Sequence, residues 1–434
     1  MTADSQTPAG HARIGVLGAS ALVAGSMIGS GVYLLPATMG AVGSISMLGW
    51  VAATGAALAI AGMFAWLGPA APDAKGLAGY VQAGLGRFFG VQTTVVYWCL
   101  CWFGNVAIAL AVAGYAGYLV PALAGGGARL ATTIAVIWLT VVAAWIGPRL
   151  VARIEGWTLA LGLLPVVAAA VFGWLWFDPQ VFTASWNPRD LSAAAAIRES
   201  GLNAFWAFLG LESAAAVAAV VRDPARNVPR ATLTGVLAAA LVYVAASAAL
   251  MGMMPAAELA RSDAPFADAA RIAIGVGGGA LIAAFAFIRT AGCLTGWTLV
   301  ASETTRGAAD EGAFLPAFRT RPGERASAIN LLAVGVLMSL VAAMTVTPTL
   351  GEQFGVLINV AVLLSLYAYT LAGLSLIRLS GRFTPGRRVL AVATALVAIG
   401  CSLALIATGK PHELLWSLAP IAAGAALYLP LRRR

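Results

Sequence analysis

The stretch Gly25-Ser26-Met27-Ile28-Gly29-Ser30-Gly31 lies inside an apolar segment that runs from about residue 14 to residue 36. It places three glycines and two serines where a helix should be strongest, although glycine costs about 1 kcal/mol relative to alanine in a helix interior. The pattern predicts an unwound stretch in the middle of the segment. Close packing of helices through small residues is the alternative, because Gly25 and Gly29 have the GxxxG spacing.

The chain around this stretch is almost entirely apolar. Of its 434 residues, 61% are hydrophobic and 10% are charged, whereas soluble proteins average about 25% charged residues. Outer-membrane barrels have strands in which polar and apolar residues alternate, and this chain has little such alternation and 49 glycines. The composition therefore predicts an all-α integral membrane protein.

Apolar runs between charges and Pro or Gly clusters predict twelve transmembrane helices. The first run is too long for the core of a signal peptide and has no convincing cleavage site, so we expect it to stay in the mature protein. The predicted spans are approximately 14–36, 42–67, 88–120, 130–147, 156–177, 192–221, 231–254, 276–301, 327–346, 354–377, 389–408 and 413–430.

The basic residues predict the orientation of these spans. Twelve crossings put both termini on one side, and that side carries nineteen Lys and Arg residues against six on the other. Because positive charge is retained in the cytoplasm, we expect both termini to be cytoplasmic. The formal charge of +9 is divided among short loops, which argues against a nucleic-acid partner.

Two ionisable residues lie well away from the ends of the predicted spans, Glu212 in the sixth and Arg289 in the eighth. A charge within the bilayer costs a few kcal/mol or more and usually faces a cavity or a partner. These residues are the first functional candidates. The alternatives are a protonated, purely structural Glu212 and an Arg289 bonded to backbone carbonyls away from any transport route.

An unwound stretch in lipid frees backbone N–H and C=O groups that must find partners. The half-helix that begins near Gly29 to Gly31 would direct its positive end at a carboxylate, and the carbonyls of the preceding half could accept from an ammonium group. Together these features describe a site for the head group of an α-amino acid.

The sixth span has a matching interruption, Trp206-Ala207-Phe208-Leu209-Gly210-Leu211-Glu212-Ser213. Interrupted spans one and six are the expected sign of two five-helix repeats of inverted topology with a site between them. We therefore expect an N-terminus (1–13), a first repeat (14–177), an extracytoplasmic loop (178–191), a second repeat (192–377), a cytoplasmic loop (378–388), and helices 11 and 12 with a basic C-terminus (389–434).

Little in the sequence suggests an enzyme. His11 and His412 both lie outside the centres of the spans, and we find no paired acids, HExxH or GxSxG motif. The four cysteines lie in apolar segments without disulfide or zinc spacing. We expect no catalytic residue, metal or cofactor, and no repeated polar ring suggests a channel.

Several motifs, in order along the chain, resemble the arginine/agmatine antiporter group, with its putrescine/ornithine and cadaverine/lysine relatives, in the amino acid–polyamine–organocation superfamily. The resemblance implies exchange of external arginine for internal agmatine in a bacterial inner membrane. It also implies a homodimer with helices 11 and 12 as its interface, and small amino acids and amines as partners. The matching stretches are residues 29–32, 34–37, 92–93, 97–98, 104–105, 210–213, 226–229, 251–255, 265–266, 268–271, 296–299 and 308–310.

The resemblance also implies a role for each matched position in substrate binding or gating. The carboxylate would meet Ser30 and Gly31, and the carbonyl of Met27 would accept from the amino group. The remaining roles are Trp206 as an inner gate, Trp297 along the aliphatic part, Asn105 at the distal head, and Ser26, Gly29, Cys101, Leu209 and Ala361 as further lining residues. Tyr97, Glu212 and Tyr369 would form an outer gate, with Glu212 also sensing protons.

Four positions depart from the pattern of that group and make the distal pocket less polar or change its shape. Ser26 replaces an Asn, Leu100 an Ala, Ile108 a Met and Ala361 a Ser. A guanidinium has five donors to satisfy, so these changes weaken the case for arginine. They favour a smaller amine or a neutral amino acid, and a proton-coupled transporter of such substrates is the alternative function.

Arg289 is the sharpest departure. It lies eight residues before Trp297, about two helical turns or ~12 Å. One hypothesis is a fixed charge that replaces a coupling ion or pairs with Glu212. If the guanidinium faces the cavity, it would repel a dication such as agmatine.

Overall fold

The structure is a computed structural model that describes residues 15–212, 221–324, 326–347 and 349–432, with the backbone alone at positions 22, 26, 30, 31, 224 and 225. The described residues form sixteen α-helices joined by short 3₁₀ turns and loops. These are α1 (Val16–Met27), α2 (Leu35–Gly40), α3 (Met47–Ala70), α4 (Gly76–Leu85), α5 (Arg87–Leu119), α6 (Gly126–Ile146), α7 (Pro148–Phe172), α8 (Pro179–Ala184), α9 (Ala193–Trp206), α10 (Pro224–Met253), α11 (Ala256–Leu259), α12 (Pro265–Asp310), α13 (Ala328–Met344), α14 (Leu350–Leu379), α15 (Pro385–Ile406) and α16 (Pro411–Leu431).

The length and hydropathy of these helices confirm the all-α membrane class. Within the described ranges, nine helices are long and apolar enough to cross a bilayer: α3, α5, α6, α7, α10, α12, α14, α15 and α16. The first span, in which α1 is followed by α2, and the shorter apolar helix α13 correspond to two more of the predicted crossings. Helix α9 begins the predicted sixth span, whose residues 213–220 lie outside the described ranges. The division into two inverted repeats stays a prediction.

Helix α7 begins eight residues before the predicted start at residue 156. Gly147 has a positive φ of 135° and Pro148 occupies the first turn, which is a favourable way to start a helix. The predicted boundary was wrong because the first two turns carry Arg149, Arg153 and Glu155, which the search for apolar runs excluded. Glu155 therefore lies within the helix and not in a loop.

Helix α12 contains a sharp kink where the eighth span begins. Ile274 and Gly275 leave the helical region, and Gly275 has a φ of 80°. The segment beyond the kink starts at the predicted residue 276 but continues to Asp310, past the predicted end at residue 301. The extra turns extend the wall of the bundle at one end.

Helices α5 and α14 form the buried centre of the bundle, while α6, α7, α15 and α16 leave much of their surface on the outside. Side chains of α5 and α14 therefore face the interior along almost their whole length. We call the end of the bundle at which α1 begins the N-terminal face. The other end, where α2, α8 and α11 lie, is the opposite face.

Candidate functional site

The first span is interrupted where the sequence predicts. Helical bonding ends when the Ile28 N–H donates to the carbonyl of Ala24 at 2.8 Å. Ile28 then turns to φ −73°, ψ 65°, and Gly29 is extended at φ −96°, ψ −152°. A 3₁₀ turn over Ser30–Tyr33 leads into α2. The break leaves main-chain polar groups near the middle of the membrane segment.

The sixth span is interrupted as well. Helix α9 ends at Trp206 and is followed by a tight turn. Gly210 adopts a positive φ of 97°, which is accessible to glycine at little cost. The rest of the span, residues 213–220, lies outside the described residues, and so does the Ser213 of the predicted motif.

A small pocket of about 50 Å³ lies between the two breaks. Residues from five helices and from the segments that follow α1 and α9 line it, which places many of the predicted site residues together. The lining residues expected from the sequence are Met27, Gly29, Leu100, Cys101, Asn105, Ile108, Trp206, Leu209, Glu212 and Trp297; those not expected are Gly104, Ala207, Cys293 and Ser365.

Trp206 lies close against one wall of this pocket. A Cβ at Gly104 would be 3.0 Å from its ring, so a glycine is needed there for the indole to fit. Among the described residues the indole N–H of Trp206 has no hydrogen-bond partner. Asn105 lies next to Gly104 and its amide donates to the sulfur of Met338 at 3.8 Å.

One predicted lining residue is misplaced, and three others are described only by their backbone. Ala361 is fully buried and does not line the pocket, because Ser365, one turn further along α14, faces it instead. The hydroxyl of Ser365 donates to the carbonyl of Ala361 at 3.0 Å. The side chains of Ser26 and Ser30 and the surroundings of Gly31 lie outside the description, so their roles stay predictions.

A wide cavity of about 1550 Å³ leads from the pocket to the N-terminal face. It shares Glu212, Cys293 and Trp297 with the pocket. Its mouth carries Lys75 and Glu311, which form an ion pair at 3.2 Å. A solute can therefore reach the pocket from the N-terminal face.

Tyr97, Glu212 and Tyr369 form one hydrogen-bonded group. The hydroxyl of Tyr369 donates to Glu212 Oε2 at 2.6 Å, and that of Tyr97 donates to Oε1 at 3.4 Å. Tyr97 and Glu212 also line the wide cavity. The group therefore lies between the pocket and the N-terminal face. If that face is cytoplasmic, as the charge distribution predicts, the group is not the outer gate that the resemblance implied.

The opposite face is closed by packed aromatic rings. Tyr33 makes edge contacts with Tyr115 and Phe266 at centroid distances of 5.7 and 5.5 Å, and the Tyr115 hydroxyl donates to the Tyr33 carbonyl at 3.1 Å. Nearby, Arg129 and Asp263 form an ion pair at 2.5 Å. The contacts of Tyr33 tie the 3₁₀ turn of the first span to α5 and α12.

Arg289 lies on α12 beside the break in the first span. Its side chain is 3% exposed and passes over Gly162 of α7, where a Cβ would overlap it. The Nη2 atom donates to the carbonyl of Ile28 at 3.4 Å. No ion pair joins it to Glu212 among the described residues, so the predicted pairing is wrong in this conformation.

Glu155 is a candidate that sequence reasoning missed. Its half-buried carboxylate lines the wide cavity and lies 2.7 Å from the position that a Cβ at Gly296 would take. It therefore faces α12 two turns from Arg289. The Gly147-Pro148 pair was the signal that could have placed it inside a span.

Comparison of the sequence with known proteins identifies the family to which the chain belongs. An amino acid permease family model matches residues 14–413, which is most of the chain. The chain is a member of the amino acid permease family. It is 33% identical over 365 residues to the putrescine transporter PotE of Escherichia coli strain K12, a match that covers 84% of the permease and 83% of the relative.

Two further transporters are similar to the chain over nearly the same length. The putrescine transporter PotE of Haemophilus influenzae is 32% identical over 360 residues, which cover 83% of each chain. The cadaverine/lysine antiporter of Escherichia coli strain K12 is 33% identical over 376 residues, covering 85% of the permease and 84% of the relative. The permease is therefore a multi-pass membrane transporter and not an enzyme.

Proposed function

We propose that the permease exchanges a cationic amino acid for its decarboxylated amine by alternating access. The observation that carries the proposal is the pocket between the two interrupted spans, which borders a carboxylate and opens through the wide cavity to one face. The Met27 carbonyl at the end of α1 accepts from the Gly29 N–H at 2.6 Å and has a second lone pair for an ammonium group. Helix breaks of this kind hold substrates in other transporter folds.

Aromatic and acidic groups around the pocket suit a cationic substrate. Trp206 and Trp297 both line it, and an indole face attracts a cation by about 2 kcal/mol when water is excluded. Glu212 supplies a negative charge at the boundary between pocket and cavity. A bound amine would therefore lie between rings and a carboxylate.

The distal wall of the pocket, formed by Leu100, Asn105 and Ile108, indicates which amino acid and amine are exchanged. The motifs resemble the arginine/agmatine group, whereas the relatives are named for putrescine and for cadaverine and lysine. Leu100 and Ile108 line the pocket and supply no acceptor. Asn105 donates its amide N–H to Met338, so its amide oxygen remains to accept from an amine. A primary amine has fewer donors to satisfy than a guanidinium, so we favour ornithine/putrescine or lysine/cadaverine over arginine/agmatine.

The same wall favours a second candidate, proton-coupled transport of a neutral amino acid. Leu100, Cys101 and Ile108 give the distal side an apolar surface that would accept an aliphatic side chain without any charged partner. In that case Glu212 would take up and release the coupled proton.

The proposal also specifies how the permease is oriented in the membrane and that it assembles as a homodimer. With both termini cytoplasmic in a bacterial inner membrane, the wide cavity opens to the cytoplasm and the aromatic closure faces outward. Helices α15 and α16 carry exposed apolar side chains such as Val389, Leu396, Leu415 and Leu418. These surfaces suit lipid, and they also suit the interface of a homodimer.

Proteoliposomes test the function directly. Vesicles are loaded with one unlabelled compound and offered labelled arginine, agmatine, ornithine, putrescine, lysine or leucine. We expect uptake of a cationic amino acid or its amine only into loaded vesicles. Uptake of leucine into empty vesicles, driven by a pH gradient, would replace the exchanger with the second candidate, and no uptake of any compound would contradict both.

A further inference from the structure

Arg289 is a buried cation whose charge the described part of the protein does not neutralise. The side chain is 97% buried, and its Nε and Nη1 atoms have no hydrogen-bond partner among the described residues. The hydrogen bond that it makes among the described residues, from Nη2 to the Ile28 carbonyl, is long at 3.4 Å. A buried guanidinium left in this state is costly unless something else pairs with it.

Neither of the two carboxylates that line the cavity near this residue forms an ion pair with it in the described part of the chain. Both oxygens of Glu212 accept from tyrosine hydroxyls. Glu155 lines the same wall of the wide cavity and interacts electrostatically with Arg289, but within the described ranges the two form no ion pair. The guanidinium is therefore free to receive a carboxylate from outside the protein.

The location of the guanidinium joins it to the substrate pocket. Its Nη2 atom is 3.8 Å from the position that a Cβ at Gly29 would take, and the sulfur of Cys293 is 3.2 Å from the same point. Gly29 and Cys293 line the pocket, while Arg289 and Cys293 line the wide cavity. A ligand at the break in the first span would thus lie within reach of the guanidinium group.

We propose that Arg289 binds the carboxylate of the substrate and thereby distinguishes an amino acid from its decarboxylated amine. The inference rests on the proposed function and adds a specificity-determining residue to it. A guanidinium pairs with a carboxylate through two parallel hydrogen bonds. An amine has no carboxylate, so Arg289 repels its ammonium group, and the amine is bound more weakly and released more readily.

Matched ligands test this role because they differ only at the carboxylate. Kd is measured calorimetrically with the purified full-length chain for lysine, cadaverine and lysinamide, and for ornithine and putrescine. In Arg289→Gln we expect the Kd of the amino acids to rise by about tenfold or more. The Kd of the amines and of lysinamide should stay the same or fall.

Two further variants control for folding and for charge. Arg271→Gln removes a half-exposed arginine from the other end of α12, where it pairs with Asp268, and should leave every Kd unchanged. Arg289→Lys keeps the charge but lacks the two-pronged geometry. It should weaken amino acid binding selectively, and it replaces Arg289→Gln if that variant does not give monodisperse protein.

A free anion such as chloride is the other ligand that the guanidinium of Arg289 would accept. Replacing chloride by methanesulfonate at constant ionic strength should not change the Kd of lysine in the wild-type chain. A chloride effect that disappears in Arg289→Gln, without a selective rise in the Kd of the amino acids, would assign the guanidinium to a small anion and overturn the proposal.

The remaining outcomes separate this inference from the proposed function. If substitution of Arg289 weakens amino acid and amine equally, or weakens neither, the carboxylate role is wrong while exchange stands. If the wild-type chain binds none of the five compounds, the proposed function fails and the inference fails with it.

Discussion

The two faces of the bundle differ in how the helices meet. At the N-terminal face, α7, α12 and the segment around α4 stand apart around a cavity of about 1550 Å³ whose wall and mouth carry charged side chains. At the opposite face, Tyr33, Tyr115 and Phe266 pack edge to face. Access is thus set by aromatic packing on one side and by separated polar walls on the other.

This difference shows what transport must change. A substrate that enters from the N-terminal face reaches the pocket past Glu212 and Trp297, whereas exit requires the ring contacts of Tyr33 to separate. Because packed interfaces switch between discrete arrangements, we expect closure of the cavity and opening of the aromatic contacts to occur together. The predictions below test the pocket first, then the N-terminal side, then the opposite face.

Filling the pocket should have the largest effect. Gly104→Leu would place a side chain where a Cβ alone already lies 3.0 Å from Trp206. Overpacking of about 3 kcal/mol corresponds to about a hundredfold loss of exchange in proteoliposomes.

Gly156→Leu is the matched control for this variant. Gly156 lines the wide cavity and no atom lies within 4 Å of its Cβ position, so exchange should stay within about twofold of wild type. Comparable losses in the two variants would show that the pocket is not where the substrate binds.

Removing the hydrogen bonds that Glu212 accepts should have the second largest effect on the exchange rate. Tyr369→Phe removes the 2.6 Å bond, and Tyr97→Phe removes the 3.4 Å bond. A bond to a charged group contributes about 1.5–3 kcal/mol, so the first variant should lower the exchange rate by about tenfold and the second by about twofold.

Tyr367→Phe provides the comparison on the same helix, since that hydroxyl donates to Gln92 at 2.6 Å and lies outside the pocket lining. Its exchange rate should match wild type. A larger effect of Tyr97→Phe than of Tyr369→Phe would contradict the distances.

Loosening the opposite face should have the smallest effect. Tyr115→Phe removes the bond to the Tyr33 carbonyl, and the loss of about 1 kcal/mol corresponds to about a fivefold change in population. Alkylation of Ala267→Cys, a buried position beside Phe266, should become about fivefold faster from this face.

Mass spectrometry separates the introduced thiol from the native cysteines. Tyr428→Phe, whose ring packs on Phe88 of α5 at the N-terminal face, should not change the alkylation rate. An unchanged rate in Tyr115→Phe would mean that this hydroxyl does not help to close the opposite face.

The interruptions and the interior charges could be predicted because they follow from local cost. Glycines at positions 25, 29 and 210 lower helix stability wherever the chain packs, and a charge such as Glu212 within an apolar run stands out without knowledge of any contact. The twelve spans follow from hydropathy in the same way.

The wrong predictions have two causes. Some depend on tertiary contacts, and others on local helix signals that the search for apolar runs did not use. Helix α7 begins at Pro148, so Glu155 lies in the membrane segment although its neighbours are charged. Ser365 rather than Ala361 faces the pocket because of the rotation of α14, which no local pattern specifies. The side on which the tyrosine group lies depends on how the helices assemble.

Alkylation of Cys293 tests the central claim most directly, because this native thiol lines both the pocket and the wide cavity. Cys401 on α15 is partly exposed and remote from both, and serves as the internal control. At ten times its Kd, an exchanged amine or amino acid should slow modification of Cys293 about tenfold and leave Cys401 unaffected. Modification of Cys293 at the same rate with and without every exchanged substrate would contradict a binding site between the two interrupted spans.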